Sequence, residues 1–200
     1  MEYVEGWEAG GYLSHSSQKE KVEAVRQLKE LFSILHRPAR EISSLPVVDL
    51  KRRAIENFRL EKLNGQLAKD IRERISHISL EEAVLVHGDI TGENVIVNPH
   101  GKLILIDFAD AHLAPPCYEL PPLLFELFQF DRELVTEWIG DGDRELFFDS
   151  LLDGLALHDF GADIILSFLE RKRIPSDCIN SLGDFRKILK KILNENKHLN

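Results

Sequence analysis

Cysteine is scarce in this sequence, and long apolar runs are absent from it. The 200 residues include only two cysteines, Cys117 and Cys178, which are too few for a disulfide scaffold or a four-cysteine zinc site and favour a reducing compartment. No apolar run approaches the roughly 20 residues that span a bilayer, and the N-terminal segment is acidic where a secretory signal is basic and then apolar. We therefore expect a cytoplasmic protein without membrane association.

Basic residues are nearly absent from one long segment. The formal net charge is −9, which argues against a general nucleic-acid-binding protein. Residues 105–170 contain 15 acidic and two basic residues, whereas residues 171–200 contain eight basic and three acidic ones. Two interpretations stay open: the acidic segment attracts a cationic ligand, or it is a solvated face of helices that pairs with the basic C-terminal segment.

The spacing of apolar residues predicts a mainly α-helical domain with a small β-hairpin island, that is, an α+β fold. Ser17 and Glu20 form a capping-box pattern at the start of one helix. A second long helix is predicted to follow Asp49 and to extend to Ile75, with Gly65 as the point where it kinks or weakens. Residues 116–200 have helical spacing again, and the phenylalanine-rich stretch 123–130 is expected in the core. A chain of this length can bury about two-thirds of its unfolded surface as a single domain.

Three short apolar segments in the middle of the chain predict strands at 83–86, 94–98 and 102–106. Asn98-Pro99-His100-Gly101 has the composition of a turn, so the last two strands are predicted to form a β-hairpin. His100, His112, His158 and His198 show no spacing typical of metal ligands, and we interpret them as surface or hydrogen-bonded polar residues.

Polar residues flank this hairpin. His87-Gly88-Asp89 precedes Asn94 by one short loop, and Ile106-Asp107-Phe108 ends the hairpin. The loop can turn Asp89 and Asn94 towards one cleft, and the hairpin returns Asp107 beside Asn94. Asn and Asp oxygens are hard ligands suited to Mg²⁺, which leaves Asp89 free to accept a proton from an attacking hydroxyl. These are the parts that phosphoryl transfer requires.

This combination of motifs resembles the aminoglycoside phosphotransferase/choline kinase branch of the protein-kinase-like superfamily. Protein kinases have Arg at the position of Gly88, usually Lys at that of Thr91, and Gly at that of Ala109. The three departures favour the branch that phosphorylates small molecules.

The resemblance implies a role for each polar residue. Asp89 corresponds to the catalytic base, Asn94 and Asp107 correspond to the Mg²⁺ ligands, and His87 corresponds to the residue that anchors the loop by hydrogen bonding. Two further residues correspond to structural supports of the site: Asp110, and Glu119 at a position where the family usually has Asp. The implied cofactors are ATP and Mg²⁺.

The resemblance also implies a nucleotide-binding face. Residues 1–6 look like the hinge strand that joins the two lobes of such kinases and receives the adenine through its backbone. The implied nucleotide-binding residues are Glu2, Tyr3 and Val4 at the adenine edge, and Ile96 and Ile106 as the apolar floor.

Parts of the family's N-terminal lobe are missing from the sequence, which has neither a glycine-rich phosphate loop nor a Val-Ala-x-Lys strand. Residues 1–200 resemble the C-terminal lobe alone, with the hinge-like strand at 1–6, the catalytic loop and metal-binding hairpin at 83–110, and a helical acceptor-side subdomain at 116–200. We expect the missing lobe to precede Met1 in the natural chain and this lobe alone to transfer no phosphate. The alternative is a chain that begins here as an accessory module.

The function expected from these observations is an ATP- and Mg²⁺-dependent phosphotransferase that acts on a hydroxyl of a small acceptor. The acidic segment 105–170 falls where the family builds its acceptor site, and this motivates a cationic acceptor. Two alternatives stay open. One is a non-catalytic, pseudokinase-like binding or regulatory module, and the other is an atypical protein kinase that acts on Ser or Thr of a partner.

Overall fold

The computed structural model describes residues 4–38, 49–57 and 60–194. Within these ranges the elements are, in order, β1 (Trp7–Glu8), α1 (Ala9–His15), α2 (Gln18–Leu35), α3 (Leu50–Asn57), α4 (Gly65–His77), β2 (Val84–Val86), β3 (Val95–Val97), β4 (Leu103–Leu105), β5 (His112–Ala114), α5 (Arg132–Ile139), α6 (Arg144–Leu157), α7 (Gly161–Arg171) and α8 (Leu182–Asn194). The predicted mainly helical α+β fold is confirmed. None of the described helices has the length and apolarity needed to cross a bilayer.

The first long helix follows the predicted capping box. The Ser17 N–H donates to Glu20 Oε2 at 2.7 Å, and the Glu20 N–H donates to Ser17 Oγ at 3.4 Å. This cap satisfies two of the amides that the first helical turn leaves free, and such a cap stabilises a helix by about 1 kcal/mol. α2 then buries Val25, Leu28 and Phe32 against the core.

The second long helix, predicted over 49–75, is two helices instead. α3 ends at Asn57 and α4 begins at Gly65. Asn64 lies outside α4 and caps it, because its Oδ1 accepts from the Leu67 N–H at 2.9 Å while its amide nitrogen donates to the Ile179 carbonyl. The chain is thus interrupted next to Gly65, where only a kink was predicted, because Asn64 caps the start of a new helix.

Two small antiparallel sheets form the β island. The predicted hairpin is confirmed, since β3 pairs with β4 in the register Val95↔Leu105 and Val97↔Leu103. β1 adds to the outer edge of β3, and β2 pairs separately with β5. Of the hinge-like strand predicted at 1–6, residues 1–3 lie outside the described residues, residues 4–6 have no strand structure, and the next two residues, Trp7–Glu8, form β1. The short β5 was not predicted at all.

Aromatic side chains fill the core between the C-terminal helices. Phe125 lies in a π-helical segment, Pro122–Leu127, and its ring centroid is 5.2 Å from that of Phe130 and 5.0 Å from that of Phe168. Phe185 of α8 completes the cluster at 5.8 Å from Phe168. All four rings are buried, so the expectation that stretch 123–130 lies in the core is confirmed.

Basic residues near the C-terminus pair with the acidic segment. Arg186 of α8 contacts Asp149 at 2.6 Å and Glu145 at 3.0 Å, and Lys190 contacts Glu145 at 2.5 Å. Further pairs join Arg171 to Glu126, Arg74 to Asp153, Lys21 to Asp131, and Arg53 to Asp159. Much of the negative charge counted in the sequence is therefore offset within the fold.

Candidate active site

The loop between β2 and β3, residues 87–94, carries the first two candidate residues, and we call it the central loop. Asn94 Nδ2 donates to the backbone carbonyl of Asp89 at 2.9 Å and to Asp89 Oδ2 at 2.6 Å. These two bonds close the loop on itself. The structure thus brings Asp89 and Asn94 together, and both side chains are half-buried.

The hairpin returns Asp107 to the same place. The Ile106 N–H donates to the Asn94 carbonyl at 3.0 Å, so the residue after Ile106 lies beside the end of the central loop. Asp107 has left-handed backbone angles, φ 57° and ψ 72°, and its carboxylate is exposed. A non-glycine residue in this region costs roughly 1–3 kcal/mol and persists where surrounding structure enforces it, often at functional sites.

His87 connects these two halves of the site. Its buried imidazole contacts the Ile106 carbonyl through Nε2 at 2.8 Å and the Asp89 N–H through Nδ1 at 3.4 Å. A carbonyl only accepts and an amide only donates, so Nε2 carries the proton and Nδ1 accepts. The ring also lies 4.5 Å from that of Phe108. The loop and the hairpin are therefore joined through one side chain.

Glu119 supports the central loop from below. Its carboxylate is fully buried and accepts from the backbone N–H groups of His87, at 2.5 Å, and Gly88, at 3.4 Å. His36, which follows α2, has its Nε2 3.9 Å from Glu119 Oε1. A glutamate at this position therefore reaches the loop backbone.

Gly88 and Asp110 meet through their backbones. Gly88 has φ +87°, and a Cβ at this position would lie 2.5 Å from the Asp110 carbonyl oxygen, so only glycine fits. The same carbonyl contacts His112 Nδ1 at 2.7 Å. Asp110 thus contacts the loop through its main chain, while its carboxylate is exposed.

The electrostatics of the site centre on Asp89. Burial raises the pKa of Asp89, and repulsion from Asp110 and Asp107 raises it further, while the hydrogen bond from Asn94 and the proximity of His87 oppose the rise. Among the residues that the structure describes, no Lys, Arg or His forms an ion pair with any of these three carboxylates. Asp89, Asp107 and Asp110 therefore form one acidic cluster, and Arg53 acts on Asp110 from beyond ion-pair distance.

The oxygens of Asn94 and Asp107 fit a divalent cation. The amide nitrogen of Asn94 donates its hydrogen bond to Asp89, so Asn94 Oδ1 stays available as a metal ligand. Mg²⁺ usually takes one or two protein ligands and completes its shell with waters and phosphate oxygens. In the described part of the chain, no group of three or more His, Cys, Asp or Glu side chains has the arrangement of an all-protein metal cage.

The structure describes three of the five residues that are expected to contact a nucleotide. Ile96 and Ile106 are half-buried on the hairpin, and Ile96 pairs with Glu8 across the β1–β3 edge. Val4 is half-buried ahead of β1. Glu2 and Tyr3 lie outside the described residues. The structure therefore brings the N-terminal segment to the edge of the hairpin that carries the two isoleucines.

Sequence reasoning missed two features of the site. The Gly10 N–H of α1 donates to the Gly92 carbonyl at 3.3 Å, and a Cβ on either glycine would lie about 3 Å from the other backbone. His112 and His158 are hydrogen-bonded through Nδ1, which was one of the two predicted alternatives, but they are also buried and pack on Tyr118, which was not predicted. No periodicity in the sequence indicates these contacts. The glycines at positions 10 and 92 were a signal for the first of them, because two glycines allow a close approach of backbones.

His158 should make folding stability sensitive to acid. Burial lowers its pKa from 6.5 to about 4. Above pH 6.5 its stabilising contribution is fully present, and it is lost as the pH falls towards 4, because the unfolded chain then binds a proton that the folded chain does not. We expect His158→Phe to remove about 3 kcal/mol of the loss in urea-unfolding free energy between pH 7 and pH 4. An equal loss in both proteins would contradict this assignment.

Comparisons with known proteins agree with the motifs. The model of the phosphotransferase enzyme family APH matches residues 2–158. The solved choline kinase LicA from Streptococcus pneumoniae is similar, with 15% identity, coverage of 96% of this chain and 68% of that chain, and a TM-score of 0.48. A Plasmodium vivax ethanolamine kinase is 12% identical over 87% of this chain and 64% of that chain, with a TM-score of 0.47.

A third solved structure, a spectinomycin phosphotransferase bound to AMP, is 16% identical over 90% of this chain and 53% of that chain, with a TM-score of 0.36. No curated protein matches the sequence. The chain spans about two-thirds of the choline kinase and about half of the spectinomycin enzyme. Because the family model covers most of the sequence, from residue 2 to residue 158, this chain belongs to the phosphotransferase enzyme family.

Proposed function

We propose that this chain is the catalytic lobe of an ATP- and Mg²⁺-dependent phosphotransferase that transfers the γ-phosphate to a hydroxyl of a small acceptor. The observation that carries the proposal is the convergence of Asp89, Asn94 and Asp107 at the end of one hairpin. Two hydrogen bonds from Asn94 and one from Ile106 hold them there. Membership of the phosphotransferase enzyme family supports the reaction class.

Asp89 is the proposed base. The acceptor oxygen attacks the γ-phosphorus, the bond from that phosphorus to the β–γ bridging oxygen breaks, and the acceptor proton passes to the Asp89 carboxylate. A raised pKa makes this carboxylate a stronger proton acceptor. Its position is set by His87, whose imidazole accepts from the Asp89 N–H, and by Glu119 beneath the loop.

The proposed metal ligands are Asn94 and Asp107. Mg²⁺ held by them would neutralise the charge of the β- and γ-phosphates. The left-handed backbone at Asp107 is the local strain that turns this carboxylate out of the hairpin into solvent. Asp110 is exposed beside Asp89 and lies within ion-pair distance of no described cation, and we assign it to the acceptor side rather than to the metal.

The proposed nucleotide site lies along the same hairpin. Ile96 and Ile106 would form the apolar floor beneath the adenine, and the backbone at Val4, with Glu2 and Tyr3 before it, would receive the edge of the base. The pairing of β1 with β3 supports this placement, because it brings the N-terminal segment beside Ile96.

The decisive experiment is a nucleotide titration of the full-length protein with and without Mg²⁺, followed by a screen of alcohol-bearing acceptors with ³¹P detection of ADP and the phosphoester. We expect Mg²⁺-dependent ATP binding and turnover with a small acceptor. Binding without turnover on any acceptor would overturn the enzyme assignment in favour of a pseudokinase-like module. Phosphorylation of only Ser or Thr in a protein would overturn the small-acceptor assignment.

The acceptor is proposed to be cationic. Pairing offsets much of the acidic segment, so the charge that faces an acceptor is that of Asp89 and Asp110, whose mutual repulsion contributes to the raised pKa of Asp89. We expect a cationic acceptor to have a KM about fivefold below that of a neutral isostere, which corresponds to ~1 kcal/mol for an exposed ion pair. Steady-state kinetics with matched acceptors measures this ratio.

Salt and one variant provide the controls for this prediction. The ratio should shrink as ionic strength rises, because the Debye length falls from about 10 Å at 0.1 M to about 3 Å at 1 M. Asp110→Asn should raise KM for the cationic acceptor and leave KM for the neutral isostere unchanged. Equal use of both acceptors at every salt concentration would sink the idea.

A further inference from the structure

The buried side chain of His158 lies near the central loop and takes no part in the phosphoryl transfer proposed above. His158 follows α6 and is 4% exposed. Its ring stacks on that of Tyr118, with centroids 4.8 Å apart and planes inclined by 27°. The ring of His112 meets the same Tyr118 edge-on at 4.7 Å. This aromatic stack adjoins the central loop, because His112 contacts the Asp110 carbonyl, against which the Gly88 backbone packs.

The tautomer of His158 follows from its local contacts. The Phe160 N–H donates to His158 Nδ1 at 3.3 Å, so Nδ1 is the acceptor and a neutral ring carries its proton on Nε2. Burial lowers the pKa of His158 to about 4, which keeps the ring neutral near pH 7. His158 is therefore a fixed hydrogen-bond donor through Nε2.

The Nε2–H donor of His158 lies near an acceptor, the Gly88 carbonyl, and neither has a well-formed hydrogen bond. His158 Nε2 is buried and makes no hydrogen bond to any residue in the described ranges. The Gly88 backbone is close enough to the same imidazole to oppose the lowering of its pKa as a hydrogen-bond acceptor, although the contact falls outside ordinary hydrogen-bond geometry. No backbone or side-chain donor in the described ranges makes a hydrogen bond of ordinary geometry with the Gly88 carbonyl. Buried polar groups are nearly always paired, so two unpaired groups of complementary kind mark an interaction.

We propose that His158 is a positioning residue, whose Nε2–H donates to the Gly88 carbonyl when substrates occupy the site and so fixes the peptide that carries Asp89. The inference rests on the proposed function. Catalytic hydrogen bonds are often long in the absence of substrate and tighten in the complex. Gly88 needs such support because its φ of +87° favours glycine, which has no side chain to fix it. Glu119 reaches only the preceding peptide, through the Gly88 N–H, and His87 reaches the Gly88–Asp89 peptide only at its N–H end.

Substitutions in the full-length enzyme separate positioning from packing. His158→Phe keeps a ring against Tyr118 but loses the donor, and His158→Gln keeps an N–H at about the position of Nε2. We expect kcat of His158→Phe to fall roughly tenfold to a hundredfold, as for a small displacement of a catalytic group, with KM of nucleotide and acceptor unchanged. His158→Gln should recover part of kcat. Tyr118→Phe, which retains the stack, is the matched control and should keep kcat within about twofold.

Two outcomes of these assays would overturn the proposal: a kcat for His158→Phe within about twofold of wild type, or a His158→Gln variant no better than His158→Phe. If Asp89→Ala is as active as wild type, the proposed function fails instead, so the two failures are distinguishable.

A second measurement does not depend on turnover or on a stable His158→Phe variant. In ¹⁵N-labelled full-length protein at neutral pH, the imidazole ¹⁵N shifts of His158 should report the proton on Nε2. Addition of ATP and Mg²⁺ should move the Nε2–H resonance downfield and slow its exchange with water, as expected when this donor engages the carbonyl. A proton on Nδ1, or an Nε2–H resonance unchanged by the nucleotide, would contradict the assignment.

Discussion

Replacement of Asp89 by alanine should lower kcat at least about a hundredfold, the lower end of the range for removal of a general base. The structure gives the reason, since Asp89 is the carboxylate at which burial and two neighbouring acids raise the pKa. Steady-state phosphotransfer by the full-length protein measures the effect. The KM of ATP should change little, because the proposed nucleotide and metal contacts are made by other residues.

Two further variants show whether this loss is chemical. Asp89→Asn keeps the shape of the side chain and removes the proton acceptor, so it should be as inactive as Asp89→Ala. Glu93 lies on the same central loop and is exposed, which makes Glu93→Ala the matched control, with kcat expected within about twofold of wild type. Undiminished turnover by Asp89→Asn would refute the assignment of the base.

Replacement of Asp107 by alanine should abolish Mg²⁺-dependent nucleotide binding. Without this carboxylate the proposed metal site keeps one protein ligand, Asn94, and Mg²⁺ binds proteins mainly through one or two carboxylates and the phosphates. Titration calorimetry with ATP, with and without Mg²⁺, measures the effect. We expect Mg²⁺ to give no gain in affinity in the variant.

The backbone at Asp107 requires a control for strain. A left-handed φ of 57° favours Asn over Ala, because a short polar side chain tolerates this region better. Asp107→Asn therefore separates the loss of the ligand charge from the loss of backbone fit, and Asp141→Ala, at an exposed acid outside the site, controls for net charge. A full Mg²⁺ effect on ATP binding in Asp107→Ala would contradict the metal assignment.

The central residues of the site could be predicted because they are close along the chain. Asp89 and Asn94 share one loop, and a hairpin with a recognisable turn returns Asp107 to them. α2 could be predicted for a similar reason, because its capping box and apolar spacing are local. These features depend on neighbours within a few residues, which a sequence displays directly.

The supports of the site do not follow from local patterns, and Glu119 was expected as a support only through the family resemblance. The carboxylate of Glu119 reaches a backbone N–H 32 residues earlier in the chain, and the ring of His158, which follows α6, packs on that of Tyr118. Local patterns do not specify such contacts, because they arise only when the helices pack. The separation into two helices at Asn64 was missed because apolar spacing continues through this position. The count of acidic residues in segment 105–170 overstated its net negative charge, because the basic partners of these acids are distant in the sequence.

The aromatic cluster of the C-terminal helices affects how the protein is made. Phe125 and Phe168 are in contact with Phe185, which belongs to the last described helix, α8. A domain emerging from the ribosome therefore holds an incomplete core until α8 has been synthesised. Partly folded chains that expose apolar surface are prone to aggregate. We therefore expect nascent chains of this protein to be most prone to aggregation in the interval before α8 docks.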